Sequence, residues 1–145
     1  MARLIGINHV AIEVDDVDEA LAWYGRLFEF ELRGRAGTRM AFIDLGDQFI
    51  AIASGRTQPP DGARHFGLVV DDKEAVRSAL QREGVEVQAS GSVDFLDPWG
   101  NHIQVVDYRQ IQFTKSPGVA AAMGIDGLEK TPAALEEIRA RGLGR

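Results

Sequence analysis

The chain of 145 residues contains no cysteine. That excludes disulfides, thiolate nucleophiles, iron–sulfur clusters and Cys-ligated zinc. No uninterrupted apolar run approaches the ~20 residues of a membrane span, and Met1 to Gly6 lacks the apolar core of a secretory signal. Positive charge is scarce as well: 16 Lys and Arg stand against 22 Asp and Glu, for a net charge of −6. Such an acidic balance argues against nucleic acid or an anionic membrane as partner. A cytoplasmic location is expected. What is present is ordinary for a globular domain, with 45% hydrophobic and 26% charged residues. The length sets a prior of one domain. Any chemistry has to use the three histidines, carboxylates, amides or hydroxyls.

The sequence repeats itself. His9-Val10-Ala11-Ile12-Glu13-Val14-Asp15-Asp16 reads against His65-Phe66-Gly67-Leu68-Val69-Val70-Asp71-Asp72, 56 positions on. Phe42-Ile43-Asp44 reads against Phe95-Leu96-Asp97, 53 positions on, and that second register sets Ala51 opposite Gln104. Two copies are too few, and each too long, for a solenoid. A duplicated module with a pseudo-two-fold axis fits, over about residues 5–55 and 62–108, with a linker at Thr57-Gln58-Pro59-Pro60-Asp61-Gly62.

Each unit has one coarse order. Residues 7–14 form an apolar, β-rich run ending at Asp15-Asp16. Val17, Ala20, Leu21, Tyr24, Leu27 and Phe28 follow at helical spacing, predicting a helix over 17–28. Strands are expected at 29–34, 39–45 and 48–53, with Gly46-Asp47 as a hairpin turn. The second unit reads as a strand at 65–70, a helix at 73–83 closed by Gly84, and strands at 85–89, 92–96 and 102–107. Both units are therefore βαβββ. Residues 111–145 form a tail, in which Ser116-Pro117 and Thr131-Pro132 start two short helices, 117–123 and 132–141. Leu135 and Ile138 share the apolar face of the longer one, which docks either on the domain or on a partner subunit.

The His-bearing first strand of each unit, the Asp-Asp before each helix, Trp23-Tyr24 in the first helix and Asp97-Pro98-Trp99-Gly100-Asn101-His102-Ile103-Gln104 together resemble the vicinal oxygen chelate superfamily. This superfamily holds glyoxalase I, fosfomycin- and bleomycin-resistance proteins and extradiol dioxygenases. The resemblance spans about residues 5–108 of a domain taken as 1–110. It implies an α+β fold of two tandem βαβββ modules forming a cupped, curled mixed sheet around a small-molecule cleft, often within a homodimer. One fold hosts many functions, so it implies no single reaction.

In the superfamily, metal ligands come from the first and last strands of each unit. The matching positions here are His9, His65, Gln104 and Ala51. Metal-dependent members usually carry Glu where Gln104 stands, and Ala51 has no donor. His9, His65 and Gln104 are thus the implied ligands for one divalent ion of Zn, Ni, Mn, Fe or Co, or for none. Losing the carboxylate removes both a unit negative charge and the base that glyoxalase chemistry needs, which argues against glyoxalase I activity. It also counts against extradiol cleavage and fosfomycin addition.

Further candidates come from the residues themselves. Glu13 shares a strand face with His9 and Ala11, where it could act as a base or orient His9; a solvated strand-end acid is the plainer reading. His102 shares a face with Gln104 and could act as acid or base at the cleft mouth; an exposed edge residue is the plainer reading. Phe42, Phe49, Phe66, Phe95 and Trp99 are candidate cleft walls, against a default of core packing. Trp99 would cap the cleft or pack under the tail. Trp23 and Tyr24 are expected in the core. Asp15-Asp16 and Asp71-Asp72 are expected as helix caps rather than catalytic pairs. Arg33, Arg35 and Arg39 suit an anion-binding loop or a solvated hairpin. Three functions follow: a divalent-metal-associated lyase, isomerase or dioxygenase-like enzyme; a metal-free protein that sequesters a small molecule, as bleomycin-resistance proteins do; or an interaction module whose cleft the tail closes.

Overall fold

The computed structural model describes residues 1–87 and 92–144. The first unit runs β1 (His9–Val14), α1 (Val17–Tyr24), β2 (Leu32–Ala36), β3 (Met40–Asp44) and β4 (Phe49–Ser54). The second runs β5 (Phe66–Val70), α2 (Lys73–Arg82), β6 (Val93–Leu96) and β7 (His102–Asp107). A single 3₁₀ turn at Tyr108–Gln110 leads to α3 (Pro117–Ala122) and α4 (Pro132–Ala140). Of the strand expected at 85–89, residues 85–87 are irregular and the remainder lies outside the described residues. Among the described residues no helix is long and apolar enough to cross a membrane.

Two mixed sheets result, with strand orders β1-β4-β3-β2 and β5-β7-β6. The first strand of each unit lies parallel to its last, β1 on β4 and β5 on β7. These pairings bear out the repeat: Ala11 sits opposite Ala51 in one unit, and Gly67 opposite Gln104 in the other. Side chains alternate across a strand. One face of the first sheet therefore carries Ile12, Val14, Ile43, Ile50 and Ile52, all buried. The other carries His9, Ala11, Glu13, Phe42, Phe49 and Ala51.

The acid pairs cap helices, as expected. Asp16 accepts from the Glu19 amide at 2.9 Å and Asp72 from the Ala75 amide at 3.0 Å. Helix α1 stops at Tyr24, short of residue 28, because the chain tightens: the Leu27 and Phe28 amides both bond the Tyr24 carbonyl, at 3.0 and 2.9 Å. Leu27 is still buried. Trp23 and Tyr24 are core residues, as expected, joined by Phe95, Ile103, Val105, Val76 and Leu80 in one cluster spanning both units.

The tail packs on its own chain. Helix α4 rests against the 3₁₀ turn and buries Ala134 and Ile138. Leu135 is 38% exposed, so the expected Leu135–Ile138 face is corrected to Ala134–Ile138, one full i, i+4 step. Helix α3 lies on the β3–β4 turn, where a Cβ on Gly46 would come 2.7 Å from Met123 Sδ and 2.8 Å from Val119 Cγ1. Lys115, 8% exposed, bonds the Leu45 carbonyl at 2.7 Å and the Asp47 carboxylate. Lys130 donates to the carbonyls of Tyr108, Ile111 and Phe113.

Candidate functional site

The two repeat-related histidines are exposed, His9 as the first residue of β1 and His65 as the residue just before β5. His9 Nδ1 lies 2.8 Å from Asn8 Oδ1, and His65 Nδ1 lies 2.8 Å from the Ala63 carbonyl. A carbonyl oxygen only accepts, so Nδ1 is the donor in His65 and, toward the Asn8 amide oxygen, in His9. Each ring also lies against the ring of the last-strand residue opposite it. His9 stacks flat on Phe49, with centroids 4.6 Å apart at 6°, and His65 tilts on His102 at 5.0 Å.

The half-sites differ beyond that. In the first unit Phe42 meets Phe49 edge to face at 5.8 Å, and the Arg33 guanidinium covers Phe49 at 4.9 Å. Ala11, Ala51 and Ala53 extend this face with small side chains, and Glu13 sits at its far end, opposite Ala53. In the second unit His102 is 9% exposed, which corrects the expectation of an exposed edge residue. Its Nδ1 bonds the Gly62 carbonyl at 2.8 Å and its Nε2 bonds Asp94 Oδ1 at 3.0 Å. With both nitrogens engaged, His102 anchors the linker and offers no free nitrogen for acid–base work. Gln104 lies beside this pair, half-buried and opposite Asp94. Glu13 is half-buried, and Oε2 accepts from the Thr57 amide at 3.4 Å.

Phe95 does not line the exposed face. It is 1% exposed and packs on Trp23. Strand pairing explains the correction. Last-strand positions Ala51 and Gln104 face Phe42 and Asp94, respectively. The structural partner of Phe42 is therefore Asp94, one residue earlier than the sequence alignment places it. A one-residue slip turns a side chain to the opposite face. Trp99 is half-buried and meets Trp23 of α1 edge to face at 6.2 Å. Phe66 belongs to the core face.

The Asp97-to-Asn101 stretch is a clamp between the units, a role that composition and spacing did not reveal. Asp97, 4% exposed, accepts from the Tyr24 hydroxyl at 2.6 Å, the Asn101 amide at 2.8 Å and Asn101 Nδ2 at 2.8 Å. Asn101 Nδ2 also donates to the Glu13 carbonyl at 3.0 Å, and Arg56 donates to Asn101 Oδ1 at 2.6 Å. Burial first, then the charge of Asp97 and its hydrogen bond, push the Tyr24 phenol well above its ordinary value. Arg33 and Arg35 are committed too, Arg33 to the Gly46 and Gln48 carbonyls and Arg35 to Asp18 at 2.7 Å.

The model of the Glyoxalase/Bleomycin resistance protein/Dioxygenase superfamily matches residues 6–105. The chain belongs to this superfamily. Solved members show the same fold. Lactoylglutathione lyase from Agrobacterium tumefaciens is 21% identical, with a TM-score of 0.58 over 73% of this chain and 96% of that one. A mutant of the fosfomycin resistance protein FosX from Listeria monocytogenes, complexed with Mn(II) and 1S,2S-dihydroxypropylphosphonic acid, is 17% identical, with a TM-score of 0.62 over 71% and 90%. A putative glyoxalase family protein from Bacillus anthracis is 22% identical, with a TM-score of 0.60 over 74% and 98%. A search of curated proteins returned no match.

The FosX complex raises the question of a metal. The candidate donors of this superfamily member are two imidazoles and an amide, with nothing from Ala51. Asp94, the carboxylate next to Gln104, is taken by His102 and Ser92. Among the described residues no three His, Asp or Glu side chains gather as a metal-holding group. The residues do not fit a two-histidine, one-carboxylate centre.

Proposed function

We propose that this superfamily member binds an aromatic small molecule on the face of β1, β3 and β4, without needing a metal. The observation that carries this reading is the pairing of an aromatic wall with a floor of small residues. His9, Phe42 and Phe49 form one ring cluster, and Ala11, Ala51 and Ala53 continue the same face with small side chains, Ala11 exposed and Ala51 buried at the sheet surface. Such walls hold planar, apolar ligands by area and ring geometry. Ala51 stands where a ligating carboxylate would stand, so the floor is built for contact rather than coordination. We take the cleft to be completed in a homodimer: β1 and β5 are edge strands of separate sheets, and His9, Ala11 and Gly67 are exposed in one chain.

The test is a thermal-shift panel of aromatic antibiotics, bleomycin included, run with and without chelator. Equal melting shifts in both conditions, lost in Ala51→Trp, support the reading. Shifts that vanish with chelator would defeat it. A metal-associated enzyme using His9, His65 and Gln104 retains one observation in its favour, that the hydrogen bonds of both first-strand histidines are made through Nδ1 and leave Nε2 as the nitrogen to coordinate. That reading requires a stoichiometric metal and a melting temperature that responds to Ni, Mn, Fe, Co or Zn. Both effects should fall in His65→Ala.

A further inference from the structure

A cavity lies on the side of the first sheet opposite His9, where β1 and β4 of the first unit approach β5 of the second. It measures about 90 Å³. Ile12, Ile50 and Ile52 line it from one unit, and Phe66, Leu68 and Ile103 from the other. Tyr24, Phe28 and Phe30 add ring surface at its α1 end. Ile12 alternates with Ala11 and Glu13 along β1, so this cavity opens on the face opposite His9 and is separate from the proposed cleft.

We propose that this cavity is a binding site for a neutral, single-ring aromatic molecule, or for the aromatic end of a larger one. Three observations set the class. The walls are hydrocarbon and aromatic, and an enclosed apolar cavity of roughly 150 Å³ takes up benzene, so a space of about 90 Å³ holds no more than a single ring. The hydroxyl of Tyr24, a lining residue, already donates its proton to Asp97 at 2.6 Å, so it has none to give a ligand. The charged lining residue is Glu29, which is exposed and repels anions. An empty apolar cavity forfeits dispersion contacts along its lining, and a ring of matching size restores them. Because the walls come from both units, a bound ring bridges them and opposes their separation.

The probe is toluene, titrated into the full chain and followed by the methyl NMR signals of Ile12, Ile50, Leu68 and Ile103. Saturable shifts at these methyls, with Ala11 and Ala51 undisturbed and a raised melting temperature, are expected. Leu68→Phe fills the space and should weaken toluene binding about tenfold or more, a loss of ~1.4 kcal/mol or greater. Leu68 is half-buried, and Val70→Phe serves as a second filling variant should the first not fold. The proposal is overturned by unsaturable shifts or by shifts confined to the Ala11–Ala51 face. It is equally overturned if the same methyls move with protein concentration in the absence of toluene, which would place a second copy of the chain in the cavity. Failure here leaves the aromatic cleft on the His9 face untouched, since that face is read by different residues.

Discussion

Tyr24 and Asp97 join helix α1 of the first unit to the turn before β7 of the second, and their bond is buried. Removing the hydroxyl leaves a buried carboxylate short of a donor, so Tyr24→Phe should cost about 1–3 kcal/mol in chemical denaturation. The bond also has a pH signature. Tyr24 keeps its proton in the folded chain well above the ordinary value of 10.0, while the unfolded chain releases it near that value. Stability from this group is complete below pH 10 and is lost as pH rises toward the folded value. Urea midpoints should therefore fall on the alkaline side of pH 10 in the native chain, and that part of the decline should be missing in Tyr24→Phe. Gly100 is a second single-residue test. Its φ is +88°, and a Cβ there would lie 2.7 Å from Pro60 Cα. Gly100→Ala should lower the melting temperature more than an Ala substitution at exposed Gly6, where nothing lies within 4 Å. The sequence motif pointed at both residues through its Asp-Pro-Trp-Gly-Asn pattern, but a motif names positions and not their partners. Tyr24 and Glu13 are too distant along the chain to be read as those partners.

Between elements, the hydrophobic pattern made type and order legible, while ends were less so: α1 stops at Tyr24 instead of residue 28, and the strand expected at 29–34 is β2 at Leu32–Ala36. The β3–β6 correspondence was not legible. Phe42 and Phe95 look equivalent by letter, yet pairing with β4 and β7 puts them on opposite faces. A period of two makes one residue decide the face, and no local propensity senses that. His102 was misjudged for a related reason: its burial depends on Asp94 and on the linker carbonyl of Gly62, both supplied by other segments. The tail was legible as two capped helices, while its seat was not, because Gly46 and Lys115 act across the fold. Gly46→Val should strain a φ of +80° and collide with Met123 and Val119. Lys115→Ala removes the amine that holds the Leu45 carbonyl. Both variants should raise amide hydrogen exchange in α3 well above that of β4, whose bonds they leave intact. Equal exchange in the native chain and in both variants would show that α3 is not held by this seat.

For the whole molecule, duplication explains both what is shared and what has diverged. Each unit sets a histidine at the start of its first strand against a last-strand ring, hydrogen-bonded through Nδ1. The first unit then turned aromatic and small, with Phe42, Phe49, Ala51 and Ala53. The second turned polar, with Asp94, His102 and Gln104. Coordination needs donors from both halves at once, and one half offers an alanine. Contact binding needs only a surface, which the proposed reading places on the first half. The most direct test is calorimetric titration of chelator-treated protein with the tightest binder from the aromatic panel, repeated in Ala51→Trp and in His65→Ala. Binding is expected without added metal, unchanged in His65→Ala and lost in Ala51→Trp. Binding that appears only after a divalent metal is added, and that disappears in His65→Ala, would contradict the metal-free reading.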